Sequence, residues 1–226
     1  MIKVRLAALG LAVLSVGVLA TPASAERTVT AFRGKGAVAY ASDCPANSPV
    51  GTKCTAWAVY VQKNRLNQDG TVSVTGGLGL DKFRVKITAG GFTLTPVAGG
   101  FNDTVAVQID DDLSEASASG TVAVVKCNQK GKACSTTNTR VALSLDANAP
   151  VQYFQDKTRT KWDDCLAVDR FSFWSRTAAG TVTINGVTYP TATPSPATPT
   201  APEVPASNIT NSKDVFITRG ECPQVP

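Results

Sequence analysis

Apolar and polar residues alternate with period two along almost every ordered-looking stretch of this chain. No stretch beyond the N-terminal segment carries a 3.6-residue apolar stripe. Successive strand side chains point to opposite faces, so this alternation marks strands with one buried side. Trp57, Val59 and Val61 fall on one side of such a strand, with Ala58 and Tyr60 on the other. Phe83, Val85 and Ile87 repeat the pattern, as do Val105, Val107 and Ile109, then Val141, Leu143 and Leu145. Phe171 with Phe173, and Val215 with Ile217, continue it. Threonine, valine and aromatics fill the runs, as a pleated, half-buried surface favours, and glycines separate them. Asn185 and Gly186 between two runs predict a type I′ hairpin. Asn67 to Gly70 and Ala89 to Gly91 mark further reversals. The fold class is therefore all-β, with about ten to twelve antiparallel strands, more than one sheet holds comfortably. A two-sheet sandwich is the expectation, and a closed β-barrel is the alternative.

The N-terminus reads as an export signal. Lys3 and Arg5 precede the unbroken apolar and small run Leu6 to Ala20, and Ala23-Ser24-Ala25 supplies a small-x-small cleavage pattern. At 15 residues the run falls short of the roughly 20 that a spanning helix needs. Residues 1–25 are thus expected to be removed, leaving 26–226 as a soluble, extracellular, single β domain with no membrane attachment. Cleavage takes two of the 22 basic residues, leaving 20 against 17 acidic ones. That balance is too weak to argue for nucleic acid as a partner. Six cysteines remain, and an even number in an exported chain reads as disulfides. The local pairing Cys44–Cys54, Cys127–Cys134 and Cys165–Cys222 is expected. Zinc is the competing use of cysteine, but no C-x-x-C pair and no histidine is present.

One segment interrupts the strands. Residues 190–206 are rich in Pro, Thr, Ala and Ser, with Glu203 the single charge. Such composition favours extended polyproline-like backbone. The roughly 20 residues that follow are too few to bury a core alone. They are read as a last strand, Asp214 to Thr218, returning to the sheet after a long loop.

The lack of histidine excludes Ser-His-Asp and Cys-His catalysis and histidine-ligated metal sites. Neither a Gly-rich phosphate cradle nor a G-x-S-x-G elbow occurs. Paired carboxylates need no histidine, and Asp110-Asp111-Asp112 and Asp163-Asp164 are the acidic clusters. The first reads as a solvated turn, with calcium binding or catalysis as alternatives, although calcium wants about six oxygens. No cofactor is expected. The best ligand-site candidate is Lys157, Arg159 and Lys161, which share one face of an extended strand, with Trp162 and Tyr153 nearby to stack on a sugar. Such a surface suits an anionic glycan or cell-wall polymer. The competing reading is a charged edge strand that blocks sheet-to-sheet pairing. Trp57 and Trp174 read as core.

The stretch from Leu113 to Val124, the strand Val141 to Leu145, and the run Arg176 to Val182 resemble a loose family of uncharacterised exported β-rich proteins of Gram-positive bacteria. The likeness covers roughly residues 113 to 189 and implies a secreted β domain with no assigned activity. The close-set cysteine pairs are similar in layout to the small secreted sandwiches of the enediyne-carrier apoproteins. The expected function is a secreted, non-enzymatic, monomeric β protein that binds an extracellular glycan, cell-wall polymer or protein. A carboxylate-based secreted hydrolase and an extracellular protease inhibitor are the alternatives.

A disulfide from Cys165 to Cys222 would fasten the last strand after its long excursion, since closure entropy rises only logarithmically with loop length. Protease cleavage inside residues 190–206 should then release the C-terminal fragment on a denaturing gel only after reduction. Release without reductant would mean that the tail is not covalently held.

Overall fold

In a computed structural model, residues 27–45, 48–68, 70–128, 133–162, 165–192 and 205–220 are described. Among them there is no helix. The strands are β1 (Thr28–Ser42), β2 (Lys53–Gln68), β3 (Thr71–Thr88), β4 (Gly91–Asn102), β5 (Val107–Ile109) and β6 (Glu115–Cys127). After them come β7 (Cys134–Ala147), β8 (Gln152–Trp162), β9 (Cys165–Ile184), β10 (Val187–Pro190) and β11 (Asn208–Gly220). The turn between β9 and β10 has Asn185 at φ 50° and Gly186 at φ 88°, as a type I′ hairpin requires.

All strands belong to one antiparallel sheet, in which eight form a ring in the order β9, β11, β1, β2, β3, β4, β6, β7 and back to β9. The expectation of two separate sheets is not confirmed; the ring is the connectivity of the closed alternative. Periodicity shows which side of a strand is buried, and a sandwich and a ring bury the same sides. The last strand, β11, is inserted between β9 and β1 and is longer at both ends than the sequence pattern indicated.

The ring is filled by alternate side chains. Ala37, Ala39 and Ala41 of β1 face Trp57, Val59 and Val61 of β2 and Leu78 and Leu80 of β3. Val122 of β6, Leu143 of β7, Val182 of β9 and Ile209 of β11 complete the packing. Small residues on one strand stand beside large ones on the next, as the interior of a small ring favours. Trp57 is buried and packs on Tyr189, their ring centroids 4.7 Å apart, while Trp174 is half-buried against the same core. Two disulfides, Cys44–Cys54 and Cys127–Cys134, brace one end of the ring. Cys165 is also disulfide-bonded; its expected partner Cys222 lies outside the described residues.

The hairpin β6–β7 closes the ring and meets a neighbour on each side at a glycine. A Cβ on Gly100 of β4 would overlap the Ala123 carbonyl oxygen of β6. A Cβ on Gly180 of β9 would overlap the Ser144 carbonyl oxygen of β7. The β4–β6 joint is the weaker, with a single register pair, Gly99 opposite Val125. Gly100→Ala should therefore lower the unfolding free energy by about 1–3 kcal/mol, the range for overpacking a tight site. Urea unfolding with a wild-type midpoint would show that the joint has slack.

Candidate functional site

The strands of one half of the ring run on past the core. Beyond Ile209, Ala37, Val61 and Leu78, the sequence alternation continues on β11, β1, β2 and β3, and β9 and β8 extend the sheet sideways. Directly paired residues of an antiparallel sheet lie on the same face. Register therefore fixes which side chains of this projecting wing stand together.

The face continuous with the ring interior is basic. Lys213 of β11, Arg33 of β1 and Arg65 of β2 form one cross-strand row. Lys35 and Lys63 pair in the next row toward the core. Lys157 of β8 lies opposite Arg170 of β9, with Arg159 and Lys161 further along the same face of β8. The carboxylates of these strands turn the other way: Asp156, Asp169 and Asp214 all occupy positions of opposite parity. Like charges directly opposite on neighbouring strands repel, so the rows cost stability and call for counter-charge. Among the described residues the single ion pair is Lys35 with Asp111. Arg33, Lys63, Arg65, Arg170 and Lys213 have no salt bridge there.

Tyr153, Lys157, Arg159 and Lys161 share a face of β8, an edge strand, and are exposed. Tyr153 packs on Trp174, centroids 5.2 Å apart, and donates a hydrogen bond to Gln155 at 2.9 Å. Trp162 ends β8, and its side chain lies outside the described residues. The sequence reading missed Arg33, Lys35, Lys63, Arg65, Arg170 and Lys213. A signal existed, because Arg33 with Lys35 and Lys63 with Arg65 repeat the basic i, i+2 spacing of Lys157 with Arg159.

Asp110-Asp111-Asp112 forms the turn that caps this mouth of the ring. Lys35 Nζ donates to Ile109 O and to Asp111, and Arg176 donates to Ala149 O and Asp112 O. The Lys35 hydrogen bond and charge hold Asp111 below the usual carboxylate range, and the Ser114 hydroxyl and amide do the same for Asp112. Ser114 Oγ also donates to Asp110. Each of the three carboxylates thus has a side-chain partner within the protein. Asp163 and Asp164 lie outside the described residues. Asp43, Cys44 and Cys54 group their ligand atoms closely, but the two sulfurs are joined in a disulfide and cannot bind a metal.

The opposite face of the wing is aromatic, with Phe171 and Phe173 stacked at 6.3 Å and Phe154 and Phe216 exposed. Within it Asp214 stands diagonally across from Asp169, and one oxygen of each carboxyl is buried without a partner among the described residues. Asp214 is pushed up to about 6, first by burial and then by Asp169.

No family model matches the chain, and no curated protein is found to be similar. Among solved structures, an acetoacetate decarboxylase-like enzyme from Sphingomonas wittichii RW1 is similar at 11% identity, over 92% of this chain and 99% of that one, with a TM-score of 0.31. A likeness this slight carries no argument about activity.

The carboxyl pair has a measurable consequence. The folded-state value of Asp214 exceeds the ordinary value of 3.8. Between about pH 4 and 6 the folded chain therefore binds more protons than the unfolded one, and this group's contribution to stability falls as pH rises. Asp214→Asn should raise the thermal midpoint at pH 7.5 more than at pH 4.5. Equal shifts at both pH values would show that the pair is not strained by its charge.

Proposed function

We propose that this chain is a secreted, non-enzymatic protein that binds an anionic extracellular polymer, a charged glycan or cell-wall polymer, along its basic sheet face. The observation that carries this reading is the Lys213–Arg33–Arg65 row with Lys35 and Lys63 beside it. Five cations on three adjacent strands, with one carboxylate partner between them, are stabilised most by a ligand that brings repeated negative charge. An exposed face that spans several strands suits a chain-like ligand better than an enclosed small molecule. Tyr153 on Trp174 supplies an aromatic surface on the same side, where a sugar ring can stack. The N-terminal signal pattern and the two local disulfides fit an oxidising, extracellular setting.

Pull-down on dextran sulfate or polygalacturonate, with neutral dextran as control, tests the reading. The wild-type chain should be retained on the anionic polymers, and retention should fade with added salt as exposed charges are screened. At about 0.5 kcal/mol for each exposed ion pair, Arg33→Gln, Arg65→Gln and Lys213→Gln together should weaken binding about tenfold. Equal retention on neutral dextran, or an unchanged triple variant, would remove this face from consideration.

A further inference from the structure

The end of the ring opposite the wing carries a second cationic feature, on different residues. Beside the Cys54 disulfide lies a cleft of about 330 Å³, lined by Lys53 of β2, Lys82 and Arg84 of β3, and Lys126 of β6. Lys86 of β3 stands directly opposite Lys53. A register shift in β3–β4 explains why the sheet gapes here. Lys82 pairs with Ala98 while Phe83 pairs with Pro96, leaving Val97 as the extra residue of a β-bulge. Proline cannot donate to a ladder and is tolerated at such bulges. The bulge bends β4 just where its pairing with β6 is reduced to Gly99 opposite Val125. Lys126 of β6 is thereby brought to the same opening as Lys82 and Arg84 of β3, two strands away.

Both sides of the opening are fastened. Cys54 follows Lys53 and is joined to Cys44; Cys127 follows Lys126 and is joined to Cys134. A cation next to a cross-linked position loses less freedom on binding than one on a loose strand end, which favours affinity. Among the described residues no acidic side chain lines the cleft. The neighbouring Asp43 accepts the Thr55 amide hydrogen at 2.6 Å. Lys53, Lys82, Arg84, Lys86 and Lys126 form no ion pair among the described residues.

We propose that this cleft is a separate binding site for a compact oxyanion of the phosphate class, carrying two or more negative charges. Arg84 offers a planar fork of N–H donors suited to two oxygens at once, and the lysines act as point charges around it. The phosphate group is either free or the monoester end of a larger molecule.

Isothermal titration of the full disulfide-bonded chain at low ionic strength, with inorganic pyrophosphate and separately with glycerol 3-phosphate, tests the site. Saturable binding of one equivalent is expected for at least one probe, the tighter of the two showing whether a free or an esterified phosphate is preferred. Lys82→Gln with Arg84→Gln should weaken that binding about tenfold or more, as loss of two charge-assisted contacts implies. The Arg33, Arg65 and Lys213 triple variant should change it less than about twofold, because those charges lie well beyond a Debye length of about 10 Å. Absence of saturable binding by either probe would overturn the proposal, as would equal losses in the two variants. Neither outcome bears on polymer retention by the wing, which those same variants test independently.

Discussion

Closure of the sheet by the β6–β7 hairpin is the contact on which the other strands depend. An open sheet of this many strands would leave two long rows of unpaired backbone groups, which invite pairing with other chains. The hairpin removes both rows within the ring, but only because it can approach β4 and β9 closely at Gly100 and Gly180. Once the ring is shut, the alternate side chains have a common interior, and Val59, Leu78, Val122, Val182 and Ile209 become completely buried. The disulfides do not make this closure. They brace chain ends at one mouth, while the seam itself is held by backbone approach.

A strand's two-residue period does not stop where the core stops. On β1 the side that carries Ala41, Ala39 and Ala37 into the interior continues as Lys35 and Arg33; on β2, Val59 and Val61 continue as Lys63 and Arg65. One parity thus specifies an apolar filling inside the ring and a basic surface outside it. The other parity collects Phe171, Phe173, Asp169 and Asp214. The charge separation that a net excess of a few cations conceals comes from this continuity.

The strands, the type I′ turn and the two short disulfides were legible because each is written in neighbouring residues. The same holds for Lys157, Arg159 and Lys161, whose shared face follows from spacing alone. Ring closure was not legible, since apolar alternation shows that a face is buried but not what buries it. The wider basic face was hidden for a related reason. Arg33 and Arg65 are about thirty residues apart in sequence and Lys213 is far beyond both, so their adjacency exists only through register. The Asp169–Asp214 pair is diagonal across two strands, and no local pattern announces it.

The pairing of β1 with β11 has a kinetic side. Thr28 lies against Thr218 and Val38 against Asn208, so one long seam of the ring joins segments separated by nearly the whole chain. Such non-local contacts are reached late, because the intervening polypeptide must be ordered before they return any free energy. Wherever the chain is presented N-terminus first, β1 has β2 on one side and nothing on the other until β11 arrives. During that interval its open edge is the part of the molecule most exposed to wrong partners. The small alanines and the charged Arg33 and Lys35 along β1 make that waiting edge a poor template for aggregation.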